Sequence, residues 1–224
     1  MSDTQGMTVA LRAADKHTLA AYRVGPEYAE RGLVVVQEIF GVNHHIRRVC
    51  DRFAAHGYAV VAPALFDRVQ RDVELGYEPE DVKTGRDLRA QVPEAGTVAD
   101  IGAAAEALPA LRGIVGYCWG GTVTWWGATR TTFFGAAVGW YGGGIAATKD
   151  AAPHCPVQLH FGEADQSIPV DDVRAIQTAQ LGVEIFTYPG AGHGFGCSER
   201  ATYDAEASRL AEERTLAFLE AHLR

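Results

Sequence analysis

No apolar run in this sequence approaches the roughly 20 residues that a membrane-spanning helix requires, so no membrane anchorage is expected. The opening Met1-Ser2-Asp3-Thr4-Gln5-Gly6 lacks a basic region followed by an apolar core, the pattern of an export signal. A cytoplasmic location is the expectation. Cationic excess is also missing: 20 Lys and Arg stand against 28 Asp and Glu, a net charge of -8. That balance argues against a nucleic-acid surface, which would present a basic face. An anionic substrate would have to be held by local arginines working against that field. Cys50, Cys118, Cys155 and Cys197 form no CxxC pair and no metal-finger spacing, so free thiols are expected. No internal repeat or low-complexity tract is present. Residues 1–224 suit one α/β domain, since folds with a large central sheet often exceed 200 residues without dividing.

What the chain does have is a sharp break at its middle. From Leu111 to Trp126, a short apolar run passes into Gly116-Tyr117-Cys118-Trp119-Gly120 and resumes as a pattern able to continue as helix. This is the layout of a nucleophile elbow with Cys where Ser is usual. Gly116 and Gly120 suit a turn in which strand and helix approach so closely that Cβ atoms would clash. The central residue of such a turn is strained. Two glycines flanking a buried cysteine are also consistent with ordinary packing.

Around this stretch the chain alternates strand and helix patterns. Residues 7–24 alternate weakly, with Leu19–Val24 reading as an outer strand. Leu33–Val36 is a continuous β-branched run, typical of a strand covered on both faces. Asn43 can cap a helix reaching about His56, with Cys50 on its core side and Gly57 stopping it. Tyr58–Ala62 is a strand closed by Pro63. Residues 64–96 loosen into a charged segment with one short helix around Asp81–Ala90, either a lid and substrate-contacting excursion or a plain surface one. Thr97–Ala110 reads as a small-residue helix, Arg112–Tyr117 as the elbow strand and Trp119–Arg130 as the helix after it. Strands follow at Phe134–Trp140, Pro156–Phe161 and Val183–Tyr188, with helices near Val170–Gln180 and Ala201–His222. Strands alternating with helices imply a mostly parallel sheet with helices on both faces.

Cys118, Asp165 and His193 each fall just after a strand, read here as three successive, non-adjacent ones. Ligand sites in open parallel sheets form outside those ends. The chain order nucleophile, acid, histidine is that of an α/β-hydrolase. Singly, an Asp after Gly is a turn former and a His between glycines is an exposed loop residue; together, in this order and with the elbow, they predict a triad. The backbone amide of Trp119, next after the nucleophile, is the natural first donor to an oxyanion.

These residues resemble the dienelactone hydrolases, cysteine members of the α/β-hydrolase fold. The resemblance runs from about Leu33 to Phe218 and rests on Gln37-Glu38-Ile39-Phe40-Gly41, Ala62-Pro63, Gly116-Tyr117-Cys118-Trp119-Gly120-Gly121, Trp140-Tyr141-Gly142, Gly162-Glu163-Ala164-Asp165 and Gly192-His193-Gly194-Phe195. It implies Cys118 as nucleophile, Asp165 as acid and His193 as base, with the backbone amide of Ile39 as second oxyanion donor. It also implies that Glu38 lies against the resting thiol, is displaced by substrate and takes up the thiol proton, and that Tyr141 contacts substrate. The reaction implied is hydrolysis of a small lactone, dienelactone (carboxymethylenebutenolide) to maleylacetate, through an acyl-cysteine. It serves aromatic compound degradation and requires no metal or organic cofactor. A monomer or small homo-oligomer is expected.

One departure bears on the substrate. Relatives acting on dienelactone hold its carboxylate with two arginines, one of them four residues after the histidine; here that residue is Cys197. Arg200 is close by, and Arg86 and Lys83 lie in the 64–96 segment where the second arginine belongs. Three alternatives stay open: an esterase or lactonase for another small ester, a thiol redox protein pairing Cys118 with Cys197, and a non-catalytic binding module. Cys197 otherwise reads as an apolar group lining the pocket.

Overall fold

Leu33, Val34, Val35 and Val36 are fully buried, as a β-branched run in the middle of a parallel sheet must be, because helices and loops cover both of its faces. The computed structural model describes residues 6–224. Its eight strands are β1 (Met7–Arg12), β2 (Thr18–Val24), β3 (Arg31–Val36), β4 (Ala59–Pro63), β5 (Leu111–Tyr117), β6 (Ala136–Trp140), β7 (Val157–Gly162) and β8 (Glu184–Tyr188). They form one sheet in the order β1-β2-β4-β3-β5-β6-β7-β8. The β1–β2 and β2–β4 pairs are antiparallel and all others parallel. Six helices pack around it: α1 (His44–Ala55), α2 (Pro79–Gln91), α3 (Glu94–Glu106), α4 (Trp119–Arg130), α5 (Val170–Ala179) and α6 (Ala205–His222). This is the mostly parallel sheet with helices on both faces that the strand–helix alternation implies, and the α/β-hydrolase architecture that the resemblance implies. No helix among the described residues is long and apolar enough to cross a membrane.

The strand order places the site. From β3 the chain steps to β4 on one side, then crosses back so that β5 lies on the other side of β3. Such a reversal opens a crevice beyond the carboxyl ends of the two central strands. Glu38 and Ile39 follow β3 at this crevice, and Cys118 follows β5.

Several elements differ from the sequence expectation. The weakly alternating 7–24 stretch is a hairpin rather than one outer strand: β1 pairs along its whole length with β2 across a turn in which the Asp15 carboxylate accepts from the His17 amide (3.1 Å) and Lys16 has φ 72°. β1 is mostly exposed, which is why its apolar pattern is faint. Residues 64–96 hold more structure than a short helix. A 3-10 turn spans Leu65–Arg68, α2 starts at Pro79 rather than Asp81, and α3 starts at Glu94 rather than Thr97. Pro79 has φ preset for a first helical residue, and Glu78 and Asp81 form a reciprocal capping box. The last helix starts at Ala205, later than expected, because Asp204 caps it by accepting from the Glu206 and Ala207 amides. β7 and β8 are neighbours, so Asp165 and His193 follow adjacent strands.

Helix α4 is buried almost all round, which requires close approach. A Cβ on Gly120 would collide with the Val36 and Gln37 carbonyls, and one on Gly116 with the Gly120 carbonyl. Gly120→Ala should therefore push α4 off the end of β3. Overpacking of this kind costs roughly 1–3 kcal/mol, and backbone carbonyls cannot rotate aside, so the loss should fall at the upper end. A denaturant titration reads it as a lowered midpoint; an unchanged midpoint would mean that the helix–strand spacing is not set by this glycine.

Candidate active site

The turn between β5 and α4 holds Cys118 at φ 56°, ψ -116°, a region that costs a side-chain-bearing residue about 1–3 kcal/mol and persists only when its surroundings over-determine it. Here they do. The Cys118 amide donates to the Trp140 carbonyl at the end of β6 (3.0 Å), and its own carbonyl accepts from the Gly121 amide (3.0 Å). Cys118 thus sits at the N-terminus of α4, where the helix dipole favours negative charge. Its Sγ lies 3.1 Å from His193 Nε2.

His193 sits in the loop after β8. Gly194 beside it has φ 78°, and a side chain there would strike the Arg200 guanidinium. The His193 carbonyl accepts from the Thr202 hydroxyl (2.7 Å), and its ring Nδ1 lies 2.7 Å from Asp165 Oδ2. The other Asp165 oxygen accepts from the Ser167 amide (2.7 Å), so both lobes of this buried carboxylate are held. Burial pulls the His193 imidazole down, but the hydrogen bonds to Asp165 and Cys118, with the charges on those groups, outweigh it and raise it to about 10. Cys118, His193 and Asp165, from three separate loops, therefore form one continuous hydrogen-bonded chain.

The segment after β3 supplies the opposite wall. The Gln37 side chain accepts from the Leu65 amide (3.1 Å) and donates to the Glu38 carbonyl (3.2 Å), tying the strand end to the 3-10 turn. Gly41 has φ 81° and pairs with Glu74. Glu38 is 1% exposed. Its Oε1 accepts from Arg200 Nη1 at 3.5 Å, while Oε2 has no partner among the described residues. Burial raises the Glu38 carboxyl; the positive charges of Arg200 and His193 oppose the rise. The hydrogen bond of the Cys118 thiol is with His193 and that of Glu38 is with Arg200.

Between the elbow, the His193 loop and the segment after β3 lies a cavity of about 330 Å³. Cys118, His193, Ile39 and Trp119 form part of its wall. Trp119 is the first residue of α4, so its amide has no acceptor within the helix. Three guanidinium groups, Arg86, Arg89 and Arg200, line the same cavity. Arg86 and Arg200 had been singled out from the sequence. Lys83 is not part of the lining; it is exposed and pairs with Glu80. Arg89 was not recognised, although Val82, Arg86 and Arg89 are spaced i, i+4, i+7, one face of α2. Helix α2 can reach this far in because Gly85 lies against the Ile39 carbonyl, where a Cβ would not fit.

Two expected positions come out otherwise. Tyr141 is fully buried and does not line the cavity. At φ 39° its ring packs edge-on behind His193, centroids 5.3 Å apart, with its hydroxyl unpartnered among the described residues. Cys197 is likewise no part of the lining. It is fully buried, because the turn after His193 folds inward: the Cys197 amide donates to the Gly194 carbonyl (2.9 Å). It lies with Glu38 and His45 instead. Burial and the Glu38 charge push its thiol up to about 11, and burial drives the His45 imidazole down to about 4. Chemically, the cavity combines a thiol hydrogen-bonded to an imidazole, the first residue of α4 and three arginines, a set suited to attack on the carbonyl of a small ester.

Comparison with known proteins agrees. The model of the dienelactone hydrolase family matches residues 19–223. A protein of Synechocystis sp. named "Putative carboxymethylenebutenolidase" is 36% identical over 213 residues, covering 86% of this chain and 86% of its own length. An Escherichia coli K12 protein of the same name is 33% identical over 221 residues, 88% of this chain and 80% of its own. The crystal structure described as "Putative Dienelactone Hydrolase" from Klebsiella pneumoniae superposes with a TM-score of 0.83 at 31% identity, covering 96% of this chain and 99% of that one. With the family model spanning nearly the whole chain and these relatives matching over most of their own lengths, the chain belongs to the dienelactone hydrolase family and is a hydrolase acting on ester bonds.

Proposed function

We propose that this protein hydrolyses a small carboxylate-bearing lactone, dienelactone to maleylacetate, through an acyl-cysteine intermediate with Cys118, His193 and Asp165 as its triad. The observation that carries the reading is the hydrogen-bonded chain from Asp165 to His193 to Cys118, opening into a cavity lined by three arginines. The Cys118 thiolate, paired with the His193 imidazolium, attacks the lactone carbonyl. The C–S bond forms and the negative charge passes to the carbonyl oxygen, where the Ile39 and Trp119 amides donate to it. Collapse breaks the ring C–O bond, and the departing enolate takes the Nε2 proton of the His193 imidazolium and becomes the ketone, leaving the imidazole neutral. Water then gives a proton to His193 and attacks the acyl-cysteine; the C–S bond breaks and the thiolate returns. Asp165 holds the imidazole in the tautomer both halves need.

Glu38 controls the thiolate. Its buried carboxylate, with one oxygen near Arg200 and the other without a partner among the described residues, can take the thiol proton when substrate draws Arg200 toward its own carboxylate. Tyr141 supports the His193 ring from behind rather than touching substrate. Residues 64–96 serve as the substrate-contacting segment of a single domain: their first part is bolted down by the bidentate Arg68–Asp100 pair (2.7 Å), and α2 presents Arg86 and Arg89 to the cavity.

The test compares cis- and trans-dienelactone with a neutral aryl ester at several ionic strengths, in wild type, Arg86→Ala and Arg200→Ala. A charge-assisted hydrogen bond contributes about 1.5–3 kcal/mol. Each variant should therefore raise KM for dienelactone roughly 10- to 100-fold; Arg86→Ala, which touches no catalytic group, should leave the aryl ester nearly untouched, and salt should weaken only dienelactone turnover. Equal handling of both esters would overturn the anionic substrate. It would favour a different small ester, the reading to which Cys197, withdrawn from the cavity, lends weight.

A further inference from the structure

Behind the active-site wall lies a group of side chains that this mechanism does not use as a unit. Glu38 follows β3, His45 is in the first turn of α1, and Cys197 is in the loop after β8. They are 1%, 2% and 0% exposed. One donor atom from each, a carboxylate oxygen, an imidazole nitrogen and a thiol sulfur, lies within 4.8 Å of the other two. Glu38 Oε2 and His45 Nε2 are buried with no hydrogen-bond partner among the described residues. Buried polar atoms are almost always paired, and each exception asks for an explanation such as an ion.

We propose that Glu38, His45 and Cys197 form a binding site for a zinc-class divalent ion, and that its occupation suppresses ester hydrolysis. A carboxylate, an imidazole and a thiolate are the donors Zn²⁺ takes, at about 2.0–2.3 Å in tetrahedral geometry. Such bonds place ligand atoms about 3.3–3.8 Å apart, so the present group has to close by only about 1 Å, within reach of side-chain rotation. The charges balance. Cys197 releases its proton on coordination, and thiolate and carboxylate together neutralise the ion. Arg200 contacts the other Glu38 oxygen, so guanidinium and ion do not compete for one atom. Arg200 also lines the substrate cavity, which marks the way in. An ion bound here holds the Glu38 oxygen that the thiol proton would need, so the reaction slows although its thiol and imidazole remain free. The inhibition rests on the proposed role of Glu38; the binding does not.

The test uses full-length Cys118→Ala protein, in which the active-site thiol cannot bind metal. Zn²⁺ should be taken up at one ion per chain in competition with a chromophoric chelator, and Co²⁺ in its place should give thiolate-to-metal charge-transfer absorption. Adding Cys197→Ala should abolish that absorption and weaken Zn²⁺ binding by more than about a hundredfold, beyond the 10- to 100-fold that outer-shell changes cost. His45→Gln provides a second variant that keeps the thiol and should weaken binding likewise. With Cys118 intact, Zn²⁺ should inhibit wild type at concentrations that leave Cys197→Ala active. Absence of binding in Cys118→Ala, or unchanged binding after Cys197→Ala and His45→Gln, would overturn the site. Binding as described without inhibition would overturn the regulatory half alone and point back to the role of Glu38.

Discussion

Replacing Cys118 by alanine is expected to lower ester hydrolysis on the order of 10⁴-fold or more, the scale seen when the nucleophile of a triad is removed, while the protein remains folded. The activity loss follows from the geometry. Cys118 Sγ is the atom that faces His193 Nε2 at 3.1 Å, and the cavity offers the substrate carbonyl no equivalent partner for that imidazole. The retained fold follows from what is not removed. The turn is held by backbone hydrogen bonds to Trp140 and Gly121 and by the glycines that make room for it, and alanine bears the same positive φ strain as cysteine. Steady-state kinetics beside a thermal melt separates the two effects. Substantial turnover in a folded Cys118→Ala protein would remove the acyl-cysteine from the mechanism.

Asp165→Asn is the second large effect, a fall in kcat of roughly 10³- to 10⁴-fold with little change in shape. The amide can still accept from Ser167, as the carboxylate does (2.7 Å), but it can present an N–H to His193 Nδ1. That selects the tautomer with its proton on Nε2, facing the sulfur, and it removes the carboxylate that stabilises the imidazolium paired with the thiolate. The pH behaviour carries the same information. In the wild type the imidazole is raised from its ordinary value near 6.5 to about 10, burial being outweighed by Asp165 and Cys118. His193 should therefore stay protonated through neutral pH. A folded value above the unfolded one means that this group's stabilisation is fully present below about pH 6.5. It fades as pH rises and is gone above about 10. In Asp165→Asn the raised value should drop markedly, and the alkaline loss of stability should shrink with it. Ring-proton NMR of His193 against pH reads this directly. An identical titration in both proteins would show that Asp165 does not govern the imidazole.

The fold was largely legible because its signals are local. Leu33–Val36 could only be a covered strand, Asn43 does cap α1 by accepting from the Ile46 amide (3.2 Å), and α4 begins and ends where its pattern does. The elbow was legible for the same reason: the clash that Gly116 and Gly120 avoid lies within a few residues of chain or at the adjoining strand end. Boundaries failed where a cap, not a periodicity, set them, as at Pro79 and Asp204. β1 was faint because an exposed edge strand has no need of apolar alternation.

Composition, periodicity and turn chemistry thus determined the α/β class, the elbow at Cys118 and the order in which Asp165 and His193 would follow, since each of these is written over short stretches of chain. Which side chains converge was decided elsewhere. That β7 and β8 are neighbours, that Arg89 joins Arg86 and Arg200 at the cavity, and that Cys197 turns away from it toward Glu38 and His45 depend on the order of strands in the sheet and on loops that bring residues more than a hundred positions apart into contact. No local pattern encodes such a meeting, because it is set by how separate elements pack across the crevice between β3 and β5, and only the folded chain brings those elements together.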